Sequence, residues 1–295
     1  MITLHQFFLD LTNPALAFLP KALLISVLSS FVCAVVGTHV VLRGMAFIGD
    51  AVAHAVFPGI AIAFALGGSV LLGGAVAGTA IALLIAVFSQ RRRVKEDTLI
   101  GIFYAAAFAL GLVIISRIDG YTASLTSFLF GSITGVPDSD LLLVFGVGSL
   151  VVAILLLLGK ELVTVALDRE SARAQGLPVF LLDIVMYVAV TAAVVISVRT
   201  IGNILVLALL ITPPATARLF TDRLDRMMLL SALFGCLGSV GGVYFSWAWN
   251  FPTGATIVLT TTAMFLFSWL ISPKVGVLRM PSRRPHASTS ALEGN

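Results

Sequence analysis

In the stretch GMAFIGDAVAHAVFPGIAIAF, Gly44 to Phe64, an otherwise apolar run carries an acid and an imidazole four residues apart, Asp50 and His54. Residues i and i+4 share one face of a helix, so the carboxylate and the ring can converge on one point. That mixed oxygen and nitrogen set suits Zn(II), Fe(II) or Mn(II). An Asp at the centre of a membrane helix costs ~2.5–3.5 kcal/mol on insertion scales, and a bound dication offsets that cost. Two plainer readings stand beside the metal. Asp50 follows Gly49 and would cap a helix beginning near Ala51, or Asp50 and His54 satisfy each other inside a bundle. Two ligands do not complete a metal site, so the rest must come from elsewhere in the fold or from water.

Other residues carry weaker chemistry. His39, in VVGTHVVLRG, reads as a packed or interfacial histidine and as a further candidate for a metal pathway. His286 falls in a polar tail and is a poor ligand. Cys33 and Cys236 lie in apolar runs and read as small hydrophobes. Asp183, about one turn into its span, is expected to reach the interface or a partner in the bundle. Pro58 and the pair Pro213–Pro214 interrupt apolar runs and are expected to kink or break their helices. A broken helix leaves free carbonyl and amide groups at membrane depth, where transporters contact substrate; against this, proline is simply common in membrane helices. No GxxxxGK[ST] run is present to bind ATP and no HExxH to make a metalloprotease. An ATP-driven step would therefore need another chain. An intramembrane metallohydrolase on Asp50 and His54 remains the enzyme alternative, without a third ligand or a neighbouring Glu base to support it.

The elements that must position these residues are membrane helices. The chain has 295 residues, 59% hydrophobic and 11% charged, with a mean hydropathy of +1.09, whereas a soluble domain is about a quarter charged. The expectation is an all-α, polytopic membrane protein. Runs long enough to cross a bilayer fall at 21–42, 46–66, 69–89, 98–116, 140–158, 179–198, 201–217, 227–249 and 255–272. That predicts nine spans, or eight if one is re-entrant or broken. Every basic residue except Lys21, Arg117 and Arg199 falls in one alternate set of loops, which the positive-inside rule places in the cytoplasm. The net charge of +4 thus reflects topology and carries no nucleic-acid footprint. With its first basic residue at Lys21, the chain shows no signal peptide.

The transmembrane domain is expected over 1–279, followed by a disordered tail over 280–295. The longest cytoplasmic loop is expected at about 159–178. Within it, DRESARAQG predicts a short helix with Asp168 as N-cap and Gly176 as its stop. Outer turns are expected in SLTSFLFGSITGVPDSD, Ser124 to Asp140, and NFPTGA, Asn250 to Ala255. Polar groups within the spans are few beyond Asp50 and His54, while LGGSVLLGGAVAG and FGCLGSVGG supply small residues for close helix contact. Two copies about a two-fold axis are expected to enclose the path.

In order and spacing, VVLRGMAFIGDAVAHAVFPGIAIAF, KEDTLIGIFYAAAFALGLVI, FLFGSITGVPDSDL, DRESARAQGLPV, IGNILVLALLITPPATARLF and FPTGATIVL resemble the permease subunits of bacterial ABC importers for manganese, zinc or iron. The resemblance runs from about Val35 to Gly276. It implies a type II importer permease fold in the bacterial cell membrane, surrounded by lipid, with Asp50 and His54 on the metal pathway. It also implies that Asp168, Arg169, Glu170, Ala174 and Gly176 belong to a coupling helix that docks on the ATPase. Two permease chains would work with two ATPase chains and an extracytoplasmic metal-binding protein. The metal is cargo, and no permanent cofactor is implied. More remotely the chain resembles siderophore and vitamin B12 permeases, which keeps transport of a metal chelate as the runner-up. The chain departs from the family pattern at His39 and at Asn250, where relatives often carry an acid; Asn250 is with His39 a further candidate for the metal pathway.

Overall fold

The structure, a computed structural model, describes residues 3–90, 94–117 and 137–272. Among them every regular element is helical. The helices are α1 (Leu4–Thr12), α2 (Phe18–Arg43), α3 (Ile48–Ala65), α4 (Val70–Ser89), α5 (Glu96–Ile115) and α6 (Asp138–Leu157). There follow α7 (Gly159–Leu167), α8 (Arg169–Ala174), α9 (Val179–Ile201), α10 (Asn203–Arg218), α11 (Leu224–Trp249) and α12 (Thr253–Ile271), with a 3-10 turn at Pro14–Leu16. Eight of these, α2 to α6, α9, α11 and α12, are long and apolar enough to cross a membrane. All nine expected runs are helical. The run expected at 201–217 is the short one: α10 has 16 residues, about 24 Å at 1.5 Å per residue, against ~30 Å of hydrocarbon. Of the outer turn expected at 124–140, residues 124–136 lie outside the described residues and Asp138 to Asp140 open α6; the tail expected at 280–295 also lies outside them.

Helix α2 forms the centre, packed against α6, α9, α10 and α11, and 72% of its most apolar stretch is buried. Helices α3, α4 and α5 form a group to one side, with α9 against α3 and α4. Lipid tails are as apolar as leucine, so helix association there depends on close van der Waals fit. Gly59 of α3 and Gly73 of α4 supply it: a methyl group on either would collide with the other's backbone carbonyl.

Of the expectation that the prolines kink or break their helices, the break is corrected. Helix α3 runs through Pro58, and α10 runs through Pro213 and Pro214. A proline removes one backbone donor, but the other bonds of the helix persist because lipid offers no competing partner. Tight packing helps: Pro58 lies against Gly111 of α5, and Pro214 against Gly37 of α2. The break comes instead between α9 and α10 at Gly202, with φ 82° and ψ 159°. That positive φ strains any residue with a Cβ.

The short helix expected in the 159–178 loop is α8, bounded as expected. The Asp168 carboxylate accepts from the amides of Glu170 (2.9 Å) and Ser171 (3.3 Å), and Gly176 follows the helix in the left-handed conformation, φ 78°. Helix α1 was not expected. It starts on a capping box between Thr3 and Gln6, buries Phe7 against Tyr244, and accepts a bond at Asp10 from Trp247 Nε1 (2.8 Å). At nine residues it is too short for a search based on membrane thickness.

Candidate metal site and its link to the basic face

Asp50 is the third residue of α3, whose N-cap position is Phe47, so the capping reading of Asp50 is corrected. Its Oδ1 stands 3.2 Å from His54 Nδ1. The same Nδ1 lies 2.9 Å from the Asp50 carbonyl oxygen. A carbonyl only accepts, so Nδ1 donates to it and carries the ring proton. Tyr104 and Phe108 of α5 meet the imidazole edge to face, with centroids at 4.8 and 5.2 Å. Asp50 and His54 therefore do satisfy each other, as the second plain reading expects, yet their side chains remain 27% and 14% exposed.

The helices fix the depth of the pair. Tyr104 and Phe108 lie about 12 and 18 Å along α5 from Glu96 at its basic end, and Asn203 lies about 22 Å along α10 from Arg218. Against ~30 Å of hydrocarbon, His54 lies about half-way in, and Asp50, one turn earlier on α3, lies nearer the basic face.

Sequence reasoning missed Asn203. It opens α10 directly after the Gly202 break, is 2% exposed, and brings Nδ2 to 3.5 Å from His54 Nδ1. Its Oδ1 is buried with no hydrogen-bond partner, which costs ~1–3 kcal/mol for a neutral polar atom. The signal was an amide inside the apolar run IGNILVLALL, overlooked in favour of the prolines further on.

The other candidates lie elsewhere. His39 sits on α2 one turn before Arg43, with Nε2 buried and without a hydrogen-bond partner; no hydrogen bond joins it to Asp50 or His54. Asn250 is exposed and ends α11 in the left-handed conformation, φ 55°, a place asparagine fills for backbone reasons. Cys33 and Cys236 are free thiols. Among the described residues no three His, Cys, Asp or Glu side chains group as a metal site.

A second polar cluster lies on the basic face. Asp183, fully buried on α9, accepts from Arg43 Nη1 (2.8 Å) and Gln90 Nε2 (3.1 Å), and pairs with Arg169 of α8. Arg169 also pairs with Glu96 at the start of α5, and Arg173 Nη2 donates to Gln90 Oε1 (3.2 Å). The short helix is thereby tied to the ends of α2, α4, α5 and α9. On the opposite face Lys21 pairs with Asp138 at 2.6 Å. These groupings agree with the sidedness read from the basic residues.

A polytopic bundle that keeps polar groups at mid-depth, and ties a capped helix to the helix ends on its basic face, is built as the membrane part of a transporter. Residues 15–272 match the ABC 3 transport family, and the chain belongs to it; it is the permease component of an ABC transport system. A manganese transport system membrane protein, MntC, of Halalkalibacterium halodurans is 40% identical over 262 residues, 89% of this chain and 90% of that protein. The chelated iron transport system membrane protein YfeC of Yersinia pestis is 34% identical over 282 residues, 94% of this chain and 96% of that protein. Among solved structures, PsaBC from Streptococcus pneumoniae in complex with Fab is similar at a TM-score of 0.81 and 35% identity, over 92% of this chain and 97% of that chain.

Proposed function

We propose that this permease carries a bare divalent metal ion, Mn(II) or Fe(II), into the bacterial cytoplasm past Asp50 and His54. The observation that carries the reading is a carboxylate and an imidazole held 3.2 Å apart within the membrane span, where an isolated ionisable group is costly and functional by default. The names of the manganese and iron relatives support the choice of metals. The name of the Yersinia relative keeps the chelate as the second reading.

The energy comes from a separate ATPase, which docks on Asp168 to Gly176. An extracytoplasmic binding protein delivers the ion to the opposite face. Two permease chains assemble about a two-fold axis in the cell membrane. The partly open Asp50 side chain supports that assembly, because a carboxylate within the membrane span does not face lipid. A second copy, together with enclosed water, covers it.

Proteoliposomes holding the permease and its ATPase test the reading. Uptake of free Mn(II) or Fe(II) that requires ATP is expected. Uptake of a chelate with no uptake of either free ion would establish the second reading instead.

A further inference from the structure

We propose that Asn203 is a third metal-contacting residue of the transport site and favours hard ions there. The inference rests on the reading that the ion pauses at Asp50 and His54, and it adds a ligand from a different helix. Asp50 Oδ1 and the Asn203 amide stand 3.2 and 3.5 Å from the same imidazole nitrogen. Ligand atoms each ~2.1 Å from one ion keep roughly 3.0–3.5 Å between themselves. The carboxylate oxygen and the amide nitrogen thus each stand at about ligand spacing from the imidazole nitrogen.

The hydrogen bonding supports the same assignment. His54 Nδ1 already donates to the Asp50 carbonyl, so an NH2 group facing it puts donor against donor. Turning the amide over about its Cβ–Cγ bond presents oxygen to the ring instead. In the present orientation Oδ1 is buried without a partner. A dication that takes the place of the Nδ1 proton gives this oxygen a partner. It also joins the two helices that meet there, α3 and the start of α10.

Fixing the amide is the backbone's part. Gly202 turns the chain between α9 and α10, and Asn203 is 2% exposed, so the side chain has little freedom to leave. Two oxygens and one imidazole, with no sulfur, suit Mn(II) or Fe(II) better than thiophilic ions.

Binding of MnCl2 to the purified permease–ATPase complex, read as loss of the free Mn(II) electron-paramagnetic signal, tests the proposal. Asn203→Ala is expected to weaken binding at least tenfold, and Asn203→Asp, which keeps an oxygen, to bind as tightly as the parent or more tightly. Asp50→Ala is expected to abolish binding at this site. Wild-type affinity in Asn203→Ala, with binding lost in Asp50→Ala, overturns the ligand role of Asn203 and leaves the Asp50–His54 reading intact. Full binding in Asp50→Ala overturns both. Equal weakening in Asn203→Ala and Asn203→Asp shows that the amide only orients the imidazole through its NH2, which also overturns the ligand role. If Asn203→Ala does not assemble, Asn203→Asp decides alone: affinity below the parent overturns the proposal.

Discussion

Asp183 shows how a single carboxylate can hold several elements in place. It is fully buried, and it accepts from Arg43, Gln90 and Arg169. Removing it takes the carboxylate from the buried Arg43 and leaves Arg169 with Glu96 alone. Breaking a buried pair by deleting one partner costs ~3–5 kcal/mol. Asp183→Ala is therefore expected to lower the unfolding temperature of the solubilised complex strongly. Arg169→Ala, at a side chain 20% exposed, should lower it less, and an equal or reversed order would contradict this view of the cluster. Asp50 and His54 were legible in the sequence because their whole geometry lies within one helical turn. Asn203 was not, because it reaches His54 from 149 residues away, across a contact that only the packing of α10 beside α3 creates. Asp183 was legible as a residue needing a partner, but not as the shared partner of Arg43 and Arg169.

At the scale of elements, hydropathy located the long helices to within a few residues, since span length is set by the bilayer and not by the neighbours. The helix break was misplaced. Local propensity assigned it to Pro58, Pro213 and Pro214, yet those helices stay continuous and the chain breaks at Gly202. A proline's lost donor is a local cost that packing absorbs, while a residue at positive φ ends a helix outright. The short helix α8 was read correctly because an N-cap and a left-handed glycine are local signals. The partner surface proposed for α8 is not written in this chain's contacts. Glu170 and Ala174 are exposed on α8, so Glu170→Cys and Ala174→Cys are expected to crosslink to the ATPase in membranes. Labelling of both cysteines only from outside the cell would refute the assignment.

For the whole molecule, the two polar clusters define a division of labour. On the proposed reading Asp50 and His54 meet the ion, while the ion-paired cluster on the basic face ties α8 to the ends of α2, α4, α5 and α9. If an ATPase docks on α8 as proposed, the Arg169–Glu96 pair would link its movement to α5, the helix whose Tyr104 and Phe108 pack on His54. Helix α5 is also the least buried of the long helices, with 22% of its apolar stretch covered within one chain. A two-fold partner would cover more of it. Native mass measurement of the detergent-purified complex is expected to give two permeases with two ATPases; a fully active complex of one permease with one ATPase would contradict the dimer. The most direct test is ATP-driven Mn(II) uptake by proteoliposomes holding Asp50→Ala or His54→Ala permease at wild-type abundance and ATPase content. Passage of the ion at Asp50 and His54 predicts that uptake falls at least a hundredfold in both variants. Uptake at the wild-type rate in both would show that the ion takes another path.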